Sequence, residues 1–83
     1  MHIFYTHRAA KQFEKLPRNV QKRIAEKMRF YAAQKNPLTF ADHLTDYREG
    51  ELRFRIGEYR IIFDVKKNGI YVLKVGKRDK AYD

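Results

Sequence analysis

Hydrophobic residues change their spacing once along the chain, and the change divides it into a helical half and a β half. His2 to Thr6 (HIFYT) is short and rich in β-formers, which predicts a first strand. Thr6 can then cap a helix, its hydroxyl accepting an orphan backbone N–H of the first turn. Ala9, Ala10, Phe13 and Leu16 form a stripe at helical spacing, with Arg8, Lys11 and Lys15 outside it. Pro17 ends that helix at or just after Leu16. Val20, Ile24, Met28, Tyr31 and Ala32 repeat with the 3.6 period of a second helix. Asn36-Pro37 stops it, because proline disfavours helical geometry in the residue before it.

From Leu52 onward the period is two. Leu52, Phe54 and Ile56 point one way and Arg53 and Arg55 the other. Gly57-Glu58 has the Gly-X chemistry of a two-residue hairpin turn. Tyr59, Ile61, Phe63 and Val65 then share a face, opposite Arg60, Ile62 and Asp64. That hairpin sets Arg55 across from Arg60 and Phe54 across from Ile61. The second reversal, Lys67-Asn68-Gly69, admits two registers. A two-residue Asn-Gly turn would put Lys74 into the apolar face. A three-residue loop with Gly69 in a left-handed bulge instead sets Tyr71 by Val65, Leu73 by Phe63 and Val75 by Ile61. The bulged register completes an apolar face and is the one expected. If the strand runs on that far, it also brings Arg78 to the face of Arg53, Arg55 and Arg60. The patterning predicts an α+β fold of order β-α-α-β-β-β in one domain over 1–83.

The charge refines this picture. The chain has 83 residues and a net charge of +9, unevenly spread. Residues 1–40 carry nine basic side chains against two acidic ones, and residues 53–83 are again basic. Between them Asp42, Asp46, Glu49 and Glu51 face only Arg48, which reads as a loop joining the halves. With 43% hydrophobic residues the chain is a folded domain, not a basic tail. The absence of cysteine excludes disulfides and thiolate metal sites. No run of residues approaches a membrane span and no signal sequence opens the chain, so a cytoplasmic protein with no membrane contact is expected. A strongly basic domain points to a polyanionic partner.

Alternating cations on a strand are commonly just the wet face of a sheet. Arginines opposite one another are less ordinary, because like charges directly across a ladder destabilise it. Only Asp64 and Glu58 are near them in the expected hairpin. Four guanidinium groups with so few partners suit a phosphodiester, which their forks bind bidentately. The basic helix backs weigh less, since most surface helices have a charged outer face. His2, His7 and His43 have no metal-ligand spacing, and no carboxylate pair, phosphate loop or cysteine nucleophile is present. No metal or other cofactor is expected.

LRFRIGEYRIIF (Leu52 to Phe63) followed by VLKVGKRDKAY (Val72 to Tyr82) resembles the RelE/ParE superfamily of bacterial and archaeal type II toxins. A short strand, a helix ending in KLP (Lys15 to Pro17), a second basic helix and an NP stop are similar in order and spacing. The fold the resemblance implies is a small curved antiparallel sheet with a two-helix hairpin packed on one face, consistent with the patterning. The resemblance implies, in its RelE branch, a ribosome-dependent mRNA endonuclease that cuts in the A site without a metal. Attack by a ribose 2′-hydroxyl on its own 3′-phosphate would leave a cyclic phosphate and a free 5′-hydroxyl. The catalytic set implied is Arg53, Arg55, Arg60, Arg78 and Tyr82, the last for base stacking or hydrogen bonding. RNA and ribosome contacts fall on Lys22, Arg23, Lys27 and Arg29, with Lys74 and Lys77 of the last strand. The RelE type example has lysines at the basic pair. Arginine keeps its proton above pH 12, so Arg53 and Arg55 are poor general bases. A ParE-like gyrase poison and a degenerate, non-toxic RNA-binding member are the alternatives. All imply a cognate, RelB-like antitoxin wrapping the basic surface of a monomeric toxin in a hetero-oligomeric complex. The favoured reading adds the ribosome, rRNA and mRNA as partners.

Overall fold

A computed structural model describes residues 1–43 and 52–77. Its elements in chain order are β1 (His2–Tyr5), α1 (His7–Glu14), α2 (Arg18–Ala33), a 3-10 turn (Pro37–Phe40), β2 (Asp42–His43), β3 (Leu52–Ile56), β4 (Tyr59–Lys66) and β5 (Gly69–Lys77). The strands form one open mixed sheet in the order β1-β5-β4-β3-β2. Three neighbouring pairs are antiparallel, but β1 runs parallel to β5, joining His2 to Gly69 and Tyr5 to Val72. The expected antiparallel sheet is corrected at that edge. The helical segment between β1 and the rest of the sheet supplies the crossover that a parallel pair requires.

Local chemistry sets the helix ends where the sequence places them. The Thr6 hydroxyl accepts from the Ala9 amide at 3.1 Å, and Pro17 stands at the start of α2. Gln21 donates its side-chain amide to the carbonyls of Glu14 and Leu16, satisfying the end of α1. Ile24, Met28, Tyr31 and Ala32 of α2, with Ala9 of α1, pack on Leu52, Phe54, Ile56, Ile61, Phe63, Ile70, Val72 and Val75. Aromatic rings run through this core as a stack, Phe40 on Tyr31 (5.1 Å), Tyr31 on Phe54 (4.4 Å) and Phe54 on Phe63 (4.3 Å). Stacked rings at such separations contribute beyond the area they bury.

The first hairpin has the expected register, with Phe54 opposite Ile61 and Arg55 opposite Arg60. Gly57 takes a left-handed φ of +61°, which its two-residue turn requires. The second hairpin differs. Lys66 pairs with Gly69 across a two-residue Lys67-Asn68 turn, and Lys67, not Gly69, has the positive φ (54°). The bulge lies further along, where Phe63 pairs with Val72 and Ile62 with Lys74, leaving Leu73 as the extra residue. Ile70, Val72 and Val75 therefore face the helices, and Tyr71, expected in the core beside Val65, lies on the other face opposite Asp64.

Helix α1 and its cap explain the bulge. The Val72 carbonyl accepts from the Thr6 amide at 3.0 Å, and the Val75 amide donates to Gln12 Oε1 at 2.8 Å. β5 loses β1 as a strand partner beyond Val72, and these groups take over the backbone bonds it would leave open. Asp42 and His43, expected in a loop, form a two-residue edge strand beside β3. Asp46, Arg48, Glu49 and Glu51, like Arg78 and Tyr82, lie outside the described residues.

Candidate nucleic-acid interface

Strand alternation puts the side chains of β3 and β4 that avoid the core on the sheet face away from the helices. Arg55 stands opposite Arg60, and Arg60 opposite Gly76. One step along, Arg53 stands opposite Ile62, and Ile62 opposite Lys74. Gly76 has no side chain to crowd Arg60. Ile62 is wholly buried and Lys74 and Arg60 nearly so, while the Arg55 side chain remains 57% exposed. Three guanidinium groups and an ammonium group thus share one face.

A carboxylate that the sequence reading did not assign to the face completes it. Asp42 pairs with Arg53 in the β2–β3 ladder. Its Oδ2 accepts from Arg53 Nη2 at 3.3 Å and lies 2.8 Å from Arg55 Nε. The expectation that only Asp64 and Glu58 stand near the arginines is therefore corrected. The available signal was the first acid of the acidic segment, ten residues before Leu52, but pairing it with β3 needed a strand that two residues cannot announce.

The expected RNA-contact residues divide into separate places. Lys74 is buried among the arginines, whereas Lys77 lies on the opposite face with Gln12, Lys15 and Tyr59. Lys22, Arg23, Lys27 and Arg29 are exposed along α2. Arg23 lies against the β3–β4 turn, since a methyl group on Gly57 would come within 2.9 Å of its Nη1. Lys27 Nζ stands 5.9 Å from the Phe30 ring centre, a cation–π distance. Arg29 acts on Tyr5, whose phenol burial pushes above its ordinary pKa while the Arg29 charge partly offsets the shift. The described histidines, aspartates and glutamates include no group of three suited to a metal. No described helix is long and apolar enough to cross a membrane.

A family model described as the ParE toxin of the type II toxin–antitoxin system parDE matches residues 3–82. The chain belongs to the RelE/ParE superfamily of type II toxins. The toxin fold is similar to that in the complex RelBE2 of Mycobacterium tuberculosis, at 23% identity and a TM-score of 0.77 over 93% of this chain and 96% of that one. It is likewise similar to the intact Escherichia coli RelBE complex (20%, TM-score 0.71, 92% and 94% covered). Isolated E. coli RelE matches at 22% identity and a TM-score of 0.69, over 98% of this chain and 89% of that chain. No curated protein matches the toxin in sequence.

Proposed function

We propose that this toxin is a ribosome-dependent mRNA endonuclease of the RelE kind, acting in the cytoplasm. The observation that carries the reading is the directly opposed Arg55–Arg60 pair, with Arg53 and Lys74 on the same face. Guanidinium groups gathered on one face offer planar forks that bind a phosphodiester bidentately. The 2′-hydroxyl of one nucleotide attacks the adjacent phosphorus and gives its proton to solvent water, and the bond to the 5′-oxygen breaks as that oxygen takes a proton from water. The products are a 2′,3′-cyclic phosphate and a 5′-hydroxyl. Arg55 and Arg60 neutralise the charge that builds on the phosphorane oxygens, in a geometry set before the substrate arrives. Lys74 brings to this face the ammonium chemistry that Arg53 and Arg55 do not have. Arg78 and Tyr82 are assigned the further phosphate contact and the base-stacking surface. The cations of α2 dock on ribosomal RNA, and a cognate antitoxin covers the basic surface.

Induction in cells with mapping of mRNA 5′ ends tests the reading. Cuts phased with codons support it, and Arg60→Ala or Arg78→Ala should abolish both the cuts and growth arrest. Arrest that survives both substitutions would sink the assigned site. The family model's ParE description favours a second reading, inhibition of DNA gyrase. Double-strand breaks linked to gyrase, with intact mRNA, would establish that one instead. Tyr82→Phe separates two roles for the phenol side chain, because stacking survives the change and hydrogen bonding by the hydroxyl does not.

A further inference from the structure

The far end of the arginine face carries a feature that phosphate chemistry does not use. Phe4 of β1 and Tyr71 of β5 are paired across the parallel ladder on the face away from the helices. Their rings stack at 4.9 Å and 16°, and Phe4 remains 46% exposed. Gly69 lies beneath both. A Cβ there would come within 2.9 Å of the Tyr71 ring and 3.1 Å of the Phe4 ring, so no larger residue leaves these rings where they are. Gly69 has no positive φ, and its missing side chain serves the rings rather than the turn. His2 stands 6.3 Å from Phe4, and exposed Lys66 pairs with Gly69 on the strand beyond. Rings covering a strand glycine can be purely structural. That role needs contact with Gly69 but no large exposed aromatic surface beside a cation.

We propose that the Phe4–Tyr71 pair is a stacking platform for an unpaired nucleobase of an RNA strand whose phosphates run on to Arg55 and Arg60. Along β4 the row of Asp64, opposite Tyr71, lies four residues from Arg60, about 13 Å at strand rise. A few nucleotides of extended single strand span that distance. Every base offers a π face, so the platform accepts any sequence and adds affinity without choosing the codon. The surrounding charge selects the occupant: the chain is net +9, and Lys66 beside the rings with the arginines further along outnumber Asp64, opposite Tyr71, which favours a polyanion that carries aromatic groups. The inference rests on the RNA reading of the arginine face and extends it to the opposite end of the sheet.

The test is binding of a short 2′-O-methyl oligoribonucleotide, with 2-aminopurine replacing one base, to the full-length toxin. Stacking quenches the fluorescence of the probe. Phe4→Leu keeps apolar cover over Gly69 but removes the π surface. It should weaken binding about tenfold, the scale of one lost base–aromatic stack, and abolish the quenching, while the salt dependence of binding stays unchanged. Phe4→Trp should retain both affinity and quenching. Arg60→Ala should instead flatten the salt dependence and leave the quenching in place. If Phe4→Leu binds and quenches like the parent while Arg60→Ala weakens binding, the platform is wrong and the RNA reading stands. If the parent toxin binds no oligoribonucleotide, on or off the ribosome, both fall. Phe4→Leu that weakens antitoxin capture but not RNA binding would make the rings a protein seat and overturn the proposal.

Discussion

The Asp42 carboxylate lies 2.8 Å from the Nε of Arg55, and the same oxygen accepts from Arg53. An internal anion therefore holds two guanidinium groups at a face proposed to bind an external one. Asp42→Asn removes the charge and keeps much of the shape. A pair this exposed contributes little stability, so unfolding should change by about 1 kcal/mol or less. RNA affinity should rise severalfold at low salt, because a competing charge has gone, and the gain should fade as salt increases. Lower affinity in a filter-binding titration would mean that Asp42 orients the arginines more than it competes for them.

Phe54 sits between Tyr31 and Phe63 in the ring stack and is wholly buried. Phe54→Ala opens a cavity between α2 and the sheet and should cost about 3–5 kcal/mol. That is a large share of the roughly 5–15 kcal/mol that holds a domain together. Denaturant unfolding measures the loss, and Phe54→Leu should recover part of it. A change below about 1 kcal/mol for the alanine variant would contradict the packing described.

Gln12 supplies the acceptor for the Val75 amide just beyond the bulge. Gln12→Ala leaves a nearly buried donor unsatisfied and should destabilise by about 1–3 kcal/mol. Hydrogen exchange at Val75 should accelerate more than at Ile61, its partner across the ladder. Equal acceleration at both would indicate global loosening and no specific role for the glutamine.

Burial raises the pKa of Tyr5, and of Tyr31, above the ordinary 10.0. The neutral phenols hold their contribution in full below that value, and it is lost as pH rises through the folded-state pKa. Stability from these groups should be level to about pH 9 and decline above pH 10, where the unfolded chain ionises more readily. Tyr5→Phe should shallow the decline in urea midpoints measured across that range. An identical slope in the variant would remove Tyr5 as a cause.

The helices and the first hairpin were legible in the sequence because local rules act alone there. Thr6 caps, Pro17 interrupts, and Gly57 supplies a φ that few other residues accept. The β1–β5 pairing joins residues as distant as His2 and Gly69, and a period of two says nothing about which strand lies alongside. The second hairpin misled for a different reason. Asn68-Gly69 has the chemistry of a turn glycine, yet the left-handed residue is Lys67, and Gly69 makes room for two rings. Tyr71, Leu73 and Val75 can be read as one continuous apolar face. The inward set is Ile70, Val72 and Val75, whose three-residue step marks the bulge. Of the candidate site, Arg53, Arg55 and Arg60 share a face as the hairpin register implied. Asp42 was hidden because its role depends on a two-residue strand.

The extra residue at Leu73 resets the phase of β5 midway, so the two ends of one strand answer to different constraints. Upstream, the outward position holds Tyr71; downstream, it holds Lys74 and then Gly76, the space beside Arg60. Straightening the bulge with Leu73 still in the ladder would turn one half over relative to the other, trading the ring for Ile70 or the ammonium for Val75. The strand behaves as two short modules sharing a backbone. The ring end can change without disturbing the cationic end, provided that the bulge absorbs the spare residue.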